Sequence, residues 1–377
     1  MQKKVNFAKI NVIIFIGFIA ALVLAGILIP NREFSERENR VLAKSPKFSF
    51  SALFSGQFMT DYEKYVSDQF AMRDSWITLK AASEVSLGKT ENNSVYFAKY
   101  GMLIERFKPS DTTIVDSNLR SLGKLSENMK ELDIPVYFAL IPGAVSVWSD
   151  LLPDNAPNDD QSRLITDADV IAGGYAQVID VRSVLNEHKD EQIFYRTDHH
   201  WTGLGAYYGY AATVKAMGLT PAPKYEPVLI SGSFYGTTYS TSGAGWVKPD
   251  EMFAYVPIFS VAALDYNTGK AVPSFLYNPE ALSKKDKYAY FLGGNSPQRR
   301  IITGLENGGK LLILRDSYMD IELPYLLPHF EEIHLIDLRY FKKSIKEYAA
   351  ENGIDSVLVS YSVKEFAEDK NLFLMEY

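Results

Sequence analysis

The sequence predicts an α/β fold with a parallel central sheet, preceded by an N-terminal transmembrane helix. Two observations lead to this prediction: a long apolar segment opens the chain, and short apolar runs alternate with helix-like stretches beyond about residue 95. Such alternation is typical of a parallel sheet covered by helices on both faces. The predicted strands are Val136–Ile141, Val178–Val181, Leu311–Leu314, Ile333–Leu338 and Val357–Ser360. Ligands of these sheets bind at the carboxyl ends of the strands, so the residues that follow each strand are the first candidates for a site.

The first thirty residues predict the membrane helix. Val12 to Ile29 is almost entirely apolar, and Lys3, Lys4 and Lys9 precede it without any acidic residue. A stretch of this length comes close to the ~30 Å thickness of the hydrocarbon core. A cleaved signal peptide and an uncleaved signal anchor both fit, but the length and the lack of a clear cleavage site favour the anchor. We therefore expect a single-pass membrane protein with a cytoplasmic N-terminus and an extracytoplasmic main domain.

Shifts in composition suggest three segments. Residues 1–30 form the anchor, 31–90 a stalk with a helical N-terminal region, and 91–377 the main α/β domain. Within the second segment, aromatic and apolar residues recur three or four positions apart from Phe48 to Lys80, which predicts an amphipathic helix. Residues 249–285 are rich in Tyr, Pro and Asn, and we expect an irregular insertion that covers or shapes the site.

Composition excludes several classes of function. The net charge is −7 and no cluster of basic residues is present, so we expect no nucleic-acid partner. The chain contains no cysteine, which removes disulfides, thiolate metal sites and cysteine nucleophiles. Chemistry must therefore come from the remaining nucleophiles and bases.

A histidine pair is the first chemical feature. Two of the five histidines lie in the run Asp198-His199-His200-Trp201. An acid two residues before a histidine can fix the tautomer of the imidazole and stabilise its protonated form. Thr202 is a good N-cap for the apolar, helix-compatible run that follows, so the pair is predicted to lie in a loop at a helix start. A merely capped helix start and a metal site on Asp198, His199 and His200 are the alternatives, although no clear further metal ligand is found elsewhere.

A serine is the second chemical feature. The predicted strand Leu311–Leu314 runs into Arg315-Asp316-Ser317. A serine just past a parallel strand is exposed at the carboxyl edge of the sheet, where a nearby base can activate it. Asp198 and His200 are candidates to supply that base. The alternative is that Ser317 only caps the helix that follows.

Together the two features resemble a known family. The run Thr197-Asp198-His199-His200-Trp201 with a downstream strand-Asp-Ser resembles the DHHW proteins, which are related to the alginate O-acetyltransferases and to the SGNH hydrolase superfamily. The weaker motifs Gly232-x-Phe234-Tyr235-Gly236-Thr237 and Phe291–Asn295 also fit. The resemblance implies an SGNH-like three-layer sandwich and a Ser317–His200–Asp198 triad. The order of the motifs looks circularly permuted, and Arg315 stands where the serine motif of that superfamily has glycine.

Further residues are candidates for the site, two of them from the same resemblance and two because they are aromatic. The two strand ends after Ser317 are expected to supply oxyanion donors, and Arg339 and Tyr361 resemble what the acetyltransferase branch places there. A surface ion pair for Arg339 and a packing role for Tyr361 are the alternatives. Trp201 and Tyr235 are aromatic candidates for holding a sugar near Ser317.

The resemblance implies an extracytoplasmic O-acetyltransferase. It would acetylate hydroxyls of a cell-surface or secreted polysaccharide through an acyl-serine intermediate, and this mechanism needs no cofactor and no metal. A multispanning membrane acyltransferase is the implied partner that delivers acetyl groups. A carbohydrate acetyl esterase with the same triad, a non-catalytic glycan-binding or assembly protein, and a metal-dependent hydrolase are the alternatives.

Overall fold

The computed structural model describes residues 7–109, 111, 113–256, 260–306 and 309–377. The chain divides into two compact units. One contains the described residues up to Lys89 together with Gly243–Trp246, and the other contains Thr90–Ser242 and Val247–Tyr377. The domain boundaries predicted from the sequence, 1–30, 31–90 and 91–377, remain predictions.

The first unit opens with a long apolar helix, α1 (Phe7–Leu28). By length and composition it could cross a membrane, although a signal sequence would pass the same test. Its 22 residues correspond to a length of about 33 Å at the usual rise per residue. The helix begins five residues before the predicted apolar run, and Lys3 and Lys4 lie outside the described residues.

The rest of the first unit is a short hairpin and three helices. Its elements are β1 (Phe34–Ser35), β2 (Arg40–Val41), α2 (Phe50–Phe54), α3 (Gln57–Asp68) and α4 (Arg73–Ser86). The predicted single helix from Phe48 to Lys80 is therefore interrupted, once at Gly56 and once at Met72, which both adopt a positive φ. Ion pairs link the hairpin to the helices, with Arg40 on Asp68 at 2.6 Å and Arg73 on Glu38 at 3.0 Å.

The second unit is built on an eight-stranded sheet. Five neighbouring strands are parallel and three at one edge are antiparallel. In chain order the strands of this sheet are β6 (Val136–Ile141), β7 (Gln177–Ile179), β10 (Ala262–Asp265), β11 (Val272–Ser274), β12 (Gln298–Ile302), β13 (Lys310–Arg315), β14 (Glu332–Ile336) and β15 (Ser356–Ser362). Their spatial order is β11-β10-β12-β14-β13-β15-β6-β7.

Two smaller antiparallel pairings complete the strands of this unit. One contains β3 (Glu91–Asn92), β4 (Val95–Phe97) and β5 (Leu103–Glu105), and the other pairs β8 (Val228–Phe234) with β9 (Asp250–Ala254). The helices are α5 (Thr113–Lys130), α6 (Ala144–Val147), α7 (Gln161–Ala172), α8 (Val181–Glu187), α9 (Gly203–Ala216), α10 (Thr237–Ser242), α11 (Met319–Leu326), α12 (Ile345–Asn352) and α13 (Val363–Glu368).

The prediction of an SGNH-like three-layer sandwich with a mostly parallel sheet is confirmed. One group of helices consists of α5, α12 and α13, and a second group consists of α8, α9 and α11. The central strand β13 lies between β14 and β15, and Leu311 to Leu314 are completely buried. Burial of this apolar strand on both faces fixes where its carboxyl end emerges.

The antiparallel edge was not predicted, because its strands lack an apolar run. In β12, Arg299 and Arg300 interrupt the hydrophobic pattern. Arg299 pairs with Asp265 of β10 at 2.9 Å, and Arg300 pairs with Glu332 of β14 at 2.5 Å. These ion pairs let charged residues lie within the sheet. The insertion predicted at 249–285 contains β9, β10 and β11, and its residues 257–259 lie outside the described part of the chain.

Candidate active site

The serine turn lies where β13 ends. Asp316 accepts hydrogen bonds from the backbone N–H of Tyr318 at 3.0 Å and of Ser362 at 2.7 Å, which ties the turn to the end of the neighbouring strand β15. Ser317 is partly exposed at this edge. The helix that follows begins at Met319 without a side-chain cap, so the alternative of Ser317 as a helix cap is not what the structure shows.

The histidine loop approaches the serine turn from the other side. It is closed by a bridge between Phe194 and Trp201 and by a hydrogen bond from the N–H of Tyr195 to the carbonyl of His200. The side chain of Thr202 then caps α9, as predicted from the sequence. This short closed loop places the side chains of Asp198 and His200 next to each other and close to Ser317.

The structure brings Asp198, His200 and Ser317 together in one chain of hydrogen bonds. Nδ1 of His200 lies 2.5 Å from Oδ1 of Asp198, and Nε2 of His200 lies 2.7 Å from Oγ of Ser317. Asp198 and His200 are buried, at 4% and 5% exposure. This is the order of contacts that a serine nucleophile, its base and an orienting acid require.

The Asp198 carboxylate is held by four hydrogen bonds. Oδ1 accepts from the backbone N–H and from Nδ1 of His200, and Oδ2 accepts from the N–H of Thr237 at 2.8 Å and its hydroxyl at 3.0 Å. Burial alone would raise the pKa of Asp198, but the adjacent imidazoles of His199 and His200 and these hydrogen bonds hold the pKa well below its usual range. The carboxylate therefore stays ionised beside His200.

A second buried carboxylate fixes the loop behind the triad. Asp250 of β9 accepts from the N–H of Arg196 at 2.9 Å, the N–H of Thr197 at 2.8 Å and the hydroxyl of Thr197 at 2.6 Å. Burial raises the pKa of Asp250, although these hydrogen bonds oppose the shift. Thr197 is thus locked in place directly before Asp198.

The glycine-containing motif after β8 supports the same carboxylate. A Cβ placed on Gly236 would come within 2.2 Å of Oδ2 of Asp198, so only glycine leaves room for the carboxylate at this position. Thr237 follows and donates both hydrogen bonds to that oxygen. The motif is visible in the sequence, but the roles of Thr237 and Asp250 were not predicted. The Gly236-Thr237 pair was the available signal.

Aromatic side chains surround the imidazole of His200. The ring of Tyr288 stacks on it, with centroids 3.8 Å apart and planes 10° apart, and the Tyr288 hydroxyl donates to the carbonyl of Ser317 at 3.0 Å. The indole N–H of Trp201 donates to the carbonyl of Tyr318 at 2.9 Å, and the hydroxyl of Tyr318 donates to the carbonyl of His199. These bonds join the histidine loop directly to the serine turn.

A cavity of about 180 Å³ opens over Ser317. Its wall combines polar and apolar side chains and includes a half-buried ion pair, Lys364 with Glu105 at 2.6 Å. The residues that line it are Val95, Leu103, Ile104, Glu105, Arg106, Phe107, Gly143, Ala144, Val145, Gln161, Asp198, His199, Thr237, Thr238, Thr241, Ser317, Tyr318, Ser362, Lys364 and Glu365.

The other predicted site residues lie elsewhere in the second unit. Arg339 is bound to Asp337, with hydrogen bonds of 2.9 Å and 2.7 Å, and Tyr361 is buried one residue before Ser362. Tyr235 packs on Tyr239, with ring centroids 4.3 Å apart. Within the described residues, none of these three lines the cavity. A substrate contact for Trp201 does not fit the structure, because its side chain is completely buried.

Charged side chains are also buried beneath the serine turn. Arg315 is 1% exposed and pairs with Asp320 at 2.7 Å. Burial raises the pKa of Asp320 to about 6, even though Arg315 opposes the shift. Burial and the nearby charge of Asp316 raise the pKa of Glu322 to about 8. The arginine that replaces the usual glycine therefore neutralises a buried acid one turn beyond the nucleophile.

The hydrogen bonds of Asp198, His199 and His200 also bear on the alternative of a metal site formed by these three residues. Ligand atoms of Asp198, His199 and His200 lie within 4.8 Å of one another. However, Nδ1 of His200 already contacts Asp198 and Nε2 of His200 contacts Ser317. In addition, Nδ1 of His199 contacts the hydroxyl of Thr237 at 2.6 Å. These hydrogen bonds favour proton transfer between Ser317 and His200 over metal coordination.

Known structures share this architecture. A DHHW family protein from Eubacterium siraeum DSM 15702 is 25% identical to this chain with a TM-score of 0.63, over 75% of this chain and 95% of that protein. Bacillus cereus PatB1 with a sulfonyl adduct is 19% identical with a TM-score of 0.58, over 74% and 98%. The O-acetyltransferase domain of Pseudomonas putida AlgJ is 13% identical with a TM-score of 0.48, over 74% of this chain and 94% of that domain. No curated protein sequence matches the chain.

The order and direction of the strands define an SGNH-like fold. The DHHW protein family matches residues 107–336, which is more than half of the chain. The chain therefore belongs to the DHHW family, as its Thr197–Trp201 motif predicted.

Proposed function

We propose that this chain is a serine-dependent O-acetyltransferase that acetylates hydroxyls of an extracytoplasmic polysaccharide. The single observation that carries the proposal is the continuous contact from Asp198 through His200 to Ser317, with distances of 2.5 Å and 2.7 Å. A carboxylate, an imidazole and a hydroxyl in this order activate the hydroxyl for acyl transfer.

The first half-reaction acylates Ser317. Its Oγ attacks the carbonyl carbon of an acetyl donor while Nε2 of His200 takes the hydroxyl proton. The tetrahedral intermediate then collapses, the bond to the leaving group breaks, and His200 returns the proton to that group. Asp198 stays ionised and stabilises the imidazolium that forms. Oxyanion donors are expected among the backbone N–H groups at the strand ends, and the roles of Arg339 and Tyr361 there stay predictions.

The second half-reaction transfers the acetyl group. An acceptor hydroxyl attacks the acyl-serine, His200 takes its proton, and that proton returns to Ser317 as the ester bond breaks. Transfer exceeds hydrolysis only when the site holds the acceptor better than water. The polar side chains of Thr237, Thr238, Thr241 and Gln161, which line the same cavity as Ser317, support a hydroxyl-rich acceptor. The resemblance to the O-acetyltransferase branch supports acetyl as the acyl group and a polysaccharide as the acceptor.

The proposal places the catalytic unit outside the cytoplasm. Helix α1 and the lysines before it support a signal anchor, and the resemblance implies that a multispanning membrane acyltransferase delivers the acetyl group. Since the chain has no cysteine, Ser183→Cys at an exposed position of α8 gives a single label site. Labelling of intact cells by an impermeant maleimide is expected. Labelling only after lysis would place the domain on the other side.

The catalytic proposal is tested with the full chain in detergent. We expect acetyl release from an aryl acetate and an acetyl adduct on the Ser317 peptide by mass spectrometry. A sulfonyl fluoride should label the same serine. Ser317→Ala and His200→Ala are each expected to lower the rate by at least about 10³-fold, since members of such a triad act as a unit.

Matched controls separate chemistry from folding. Ser183→Ala and His188→Ala remove the same residue types from sites that, among the described residues, do not line the cavity, and both are expected to keep the activity. Activity that survives Ser317→Ala would contradict the mechanism. Acetyl release that never passes to an added oligosaccharide, with or without the membrane partner, would identify an esterase instead.

A further inference from the structure

Two adjacent histidines meet the cavity in different ways. His200 is almost completely buried and contacts the nucleophile, whereas the side chain of His199 is one-third exposed and lines the cavity beside Ser317. Their rings lie 3.9 Å apart. The proposed mechanism assigns a role to His200 and none to the imidazole of His199, although His199 lines the cavity.

The hydrogen bonds of Thr237 determine the tautomer of His199. The Thr237 hydroxyl lies 3.0 Å from Oδ2 of Asp198 and 2.6 Å from Nδ1 of His199. A hydroxyl has one proton and an ionised carboxylate only accepts, so the proton of Thr237 goes to Asp198. Oγ1 of Thr237 must then accept a hydrogen bond from His199. The proton of the neutral His199 imidazole is therefore on Nδ1. The other ring nitrogen, Nε2, is left with a free lone pair.

The surroundings keep this imidazole neutral. Burial and the neighbouring His200 lower the pKa of His199 to about 4, and Lys364 acts in the same direction, while Asp198 and Glu105 oppose the shift. Because Nδ1 faces Thr237, Nε2 is the polar edge that is left for the cavity. Among the described residues, no hydrogen-bond partner of Nε2 is found. The cavity therefore presents a fixed hydrogen-bond acceptor close to Ser317.

We propose that Nε2 of His199 accepts a hydrogen bond from the hydroxyl group of the acyl acceptor and holds it beside the acyl-serine. This inference rests on the proposed function and extends it to the second half-reaction. It assigns His199 to acceptor binding and leaves proton transfer to His200. A neutral acceptor nitrogen selects groups that donate, so the site suits a sugar hydroxyl and disfavours a carboxylate or phosphate, which only accept.

If His199 binds the acceptor, its substitution should affect the two half-reactions to different extents. Acylation by an aryl acetate involves no acceptor hydroxyl, whereas transfer to a sugar depends on it. Loss of the Nε2 contact should therefore lower the ratio of transfer to hydrolysis more than it lowers the acylation rate. A merely structural role, exerted through Thr237 and Asp198, would lower both half-reactions together.

Two substitutions of His199 separate these cases. His199→Asn keeps an N–H that can reach Thr237 but removes the acceptor at Nε2. His199→Gln can place its amide oxygen where Nε2 was. The acetyl-serine would be formed from an aryl acetate in the full chain, and methyl glucoside would be added as the acceptor probe. Released acetate and acetylated sugar would be measured together, and thermal unfolding would show that each variant is folded.

We expect the ratio of transfer to hydrolysis to fall about tenfold in His199→Asn, with a higher KM for methyl glucoside and a smaller change in acylation, because one hydrogen bond is lost. His199→Gln should regain part of the ratio. An unchanged ratio in both variants, or an equal loss in both half-reactions, would overturn the proposal. Wild-type protein that forms no acetyl-serine would refute the proposed function itself, which is a different result from normal acylation with an unchanged ratio.

Discussion

The two sides of the Ser317–His200 contact are stabilised in different ways. On the histidine side, the Asp198 and Asp250 carboxylates accept four and three hydrogen bonds, mostly from backbone and hydroxyl groups. On the serine side, Arg315, Asp320 and Glu322 are buried and the main compensation is one ion pair. On the histidine side several fixed donors position each carboxylate, whereas on the serine side the buried charges depend on a single ion pair and on protonation.

The largest effect is expected from breaking the ion pair on the serine side. Arg315→Met removes the guanidinium and leaves the buried Asp320 carboxylate without its 2.7 Å ion pair. An uncompensated buried charge of this kind costs about 3–5 kcal/mol of the free energy of unfolding. Urea denaturation at neutral pH measures the loss. It should shrink on acidification, because protonation of Asp320 removes the unpaired charge.

The double variant Arg315→Met/Asp320→Leu is the matched control for this experiment. Replacing both charges by apolar groups is expected to restore most of the stability, since a buried ion pair contributes little over a hydrophobic pair. A loss below about 1 kcal/mol for Arg315→Met alone would mean that the pair is not what stabilises the serine turn.

The next effect is expected on the histidine side. Asp250→Ala leaves the backbone N–H groups of Arg196 and Thr197 and the hydroxyl of Thr197 without their acceptor. Leaving buried donors unsatisfied costs about 2–3 kcal/mol. Activity should fall as well, because Thr197 directly precedes Asp198. The aryl acetate rate and the unfolding midpoint would be measured together.

Asp250→Asn sharpens this test. Its amide keeps one acceptor oxygen, so we expect a smaller loss of stability and activity than in Asp250→Ala. If both variants kept full activity, the hydrogen bonds to β9 would not position the histidine loop, and the contrast between the two sides would fail.

The sequence predicted which residues meet at the site better than it predicted the contacts that hold them in place. Strand β13 and Ser317 were predictable because an apolar run followed by Asp-Ser is a local pattern. Thr237 and Asp250 were missed, because they meet the histidine loop only through the pairing of β8 with β9, which is a long-range contact. Trp201 was placed near the substrate by its residue type alone, which does not reveal burial. Strand β12 was not predicted either, because its two arginines interrupt the apolar pattern of a strand.

A pH-dependent effect is expected from Glu322. Its pKa is raised to about 8 in the folded protein, from an ordinary value of 4.5. The folded state then holds a proton that the unfolded state has lost, so the contribution of Glu322 to stability is greatest below pH 4.5 and is lost as the pH rises to about 8. The fall amounts to at most about 1.4 kcal/mol per pH unit for one group. Asp320 contributes in the same direction only up to about pH 6.

Glu322→Gln isolates this contribution. Glutamine imitates the protonated acid without titrating, so the variant should lose the decline in unfolding free energy between pH 6.5 and 8 and be more stable than wild type at pH 8. Urea titrations at several pH values measure both curves. Parallel curves over this window would show that Glu322 is already ionised in the folded protein.

The smallest effect is expected at the bond that joins the two sides. The indole N–H of Trp201, in the histidine loop, donates to the carbonyl of Tyr318 in the serine turn at 2.9 Å. Trp201→Phe keeps an aromatic ring but removes this donor and some volume, so we expect a loss of about 1 kcal/mol in stability. Because Tyr318 and Tyr288 also connect the two sides, through His199 and Ser317, the acylation rate should fall only a few-fold. A much larger loss of rate without a larger loss of stability would mean that this single hydrogen bond sets the distance between His200 and Ser317, and that the two sides depend on each other rather than being positioned separately.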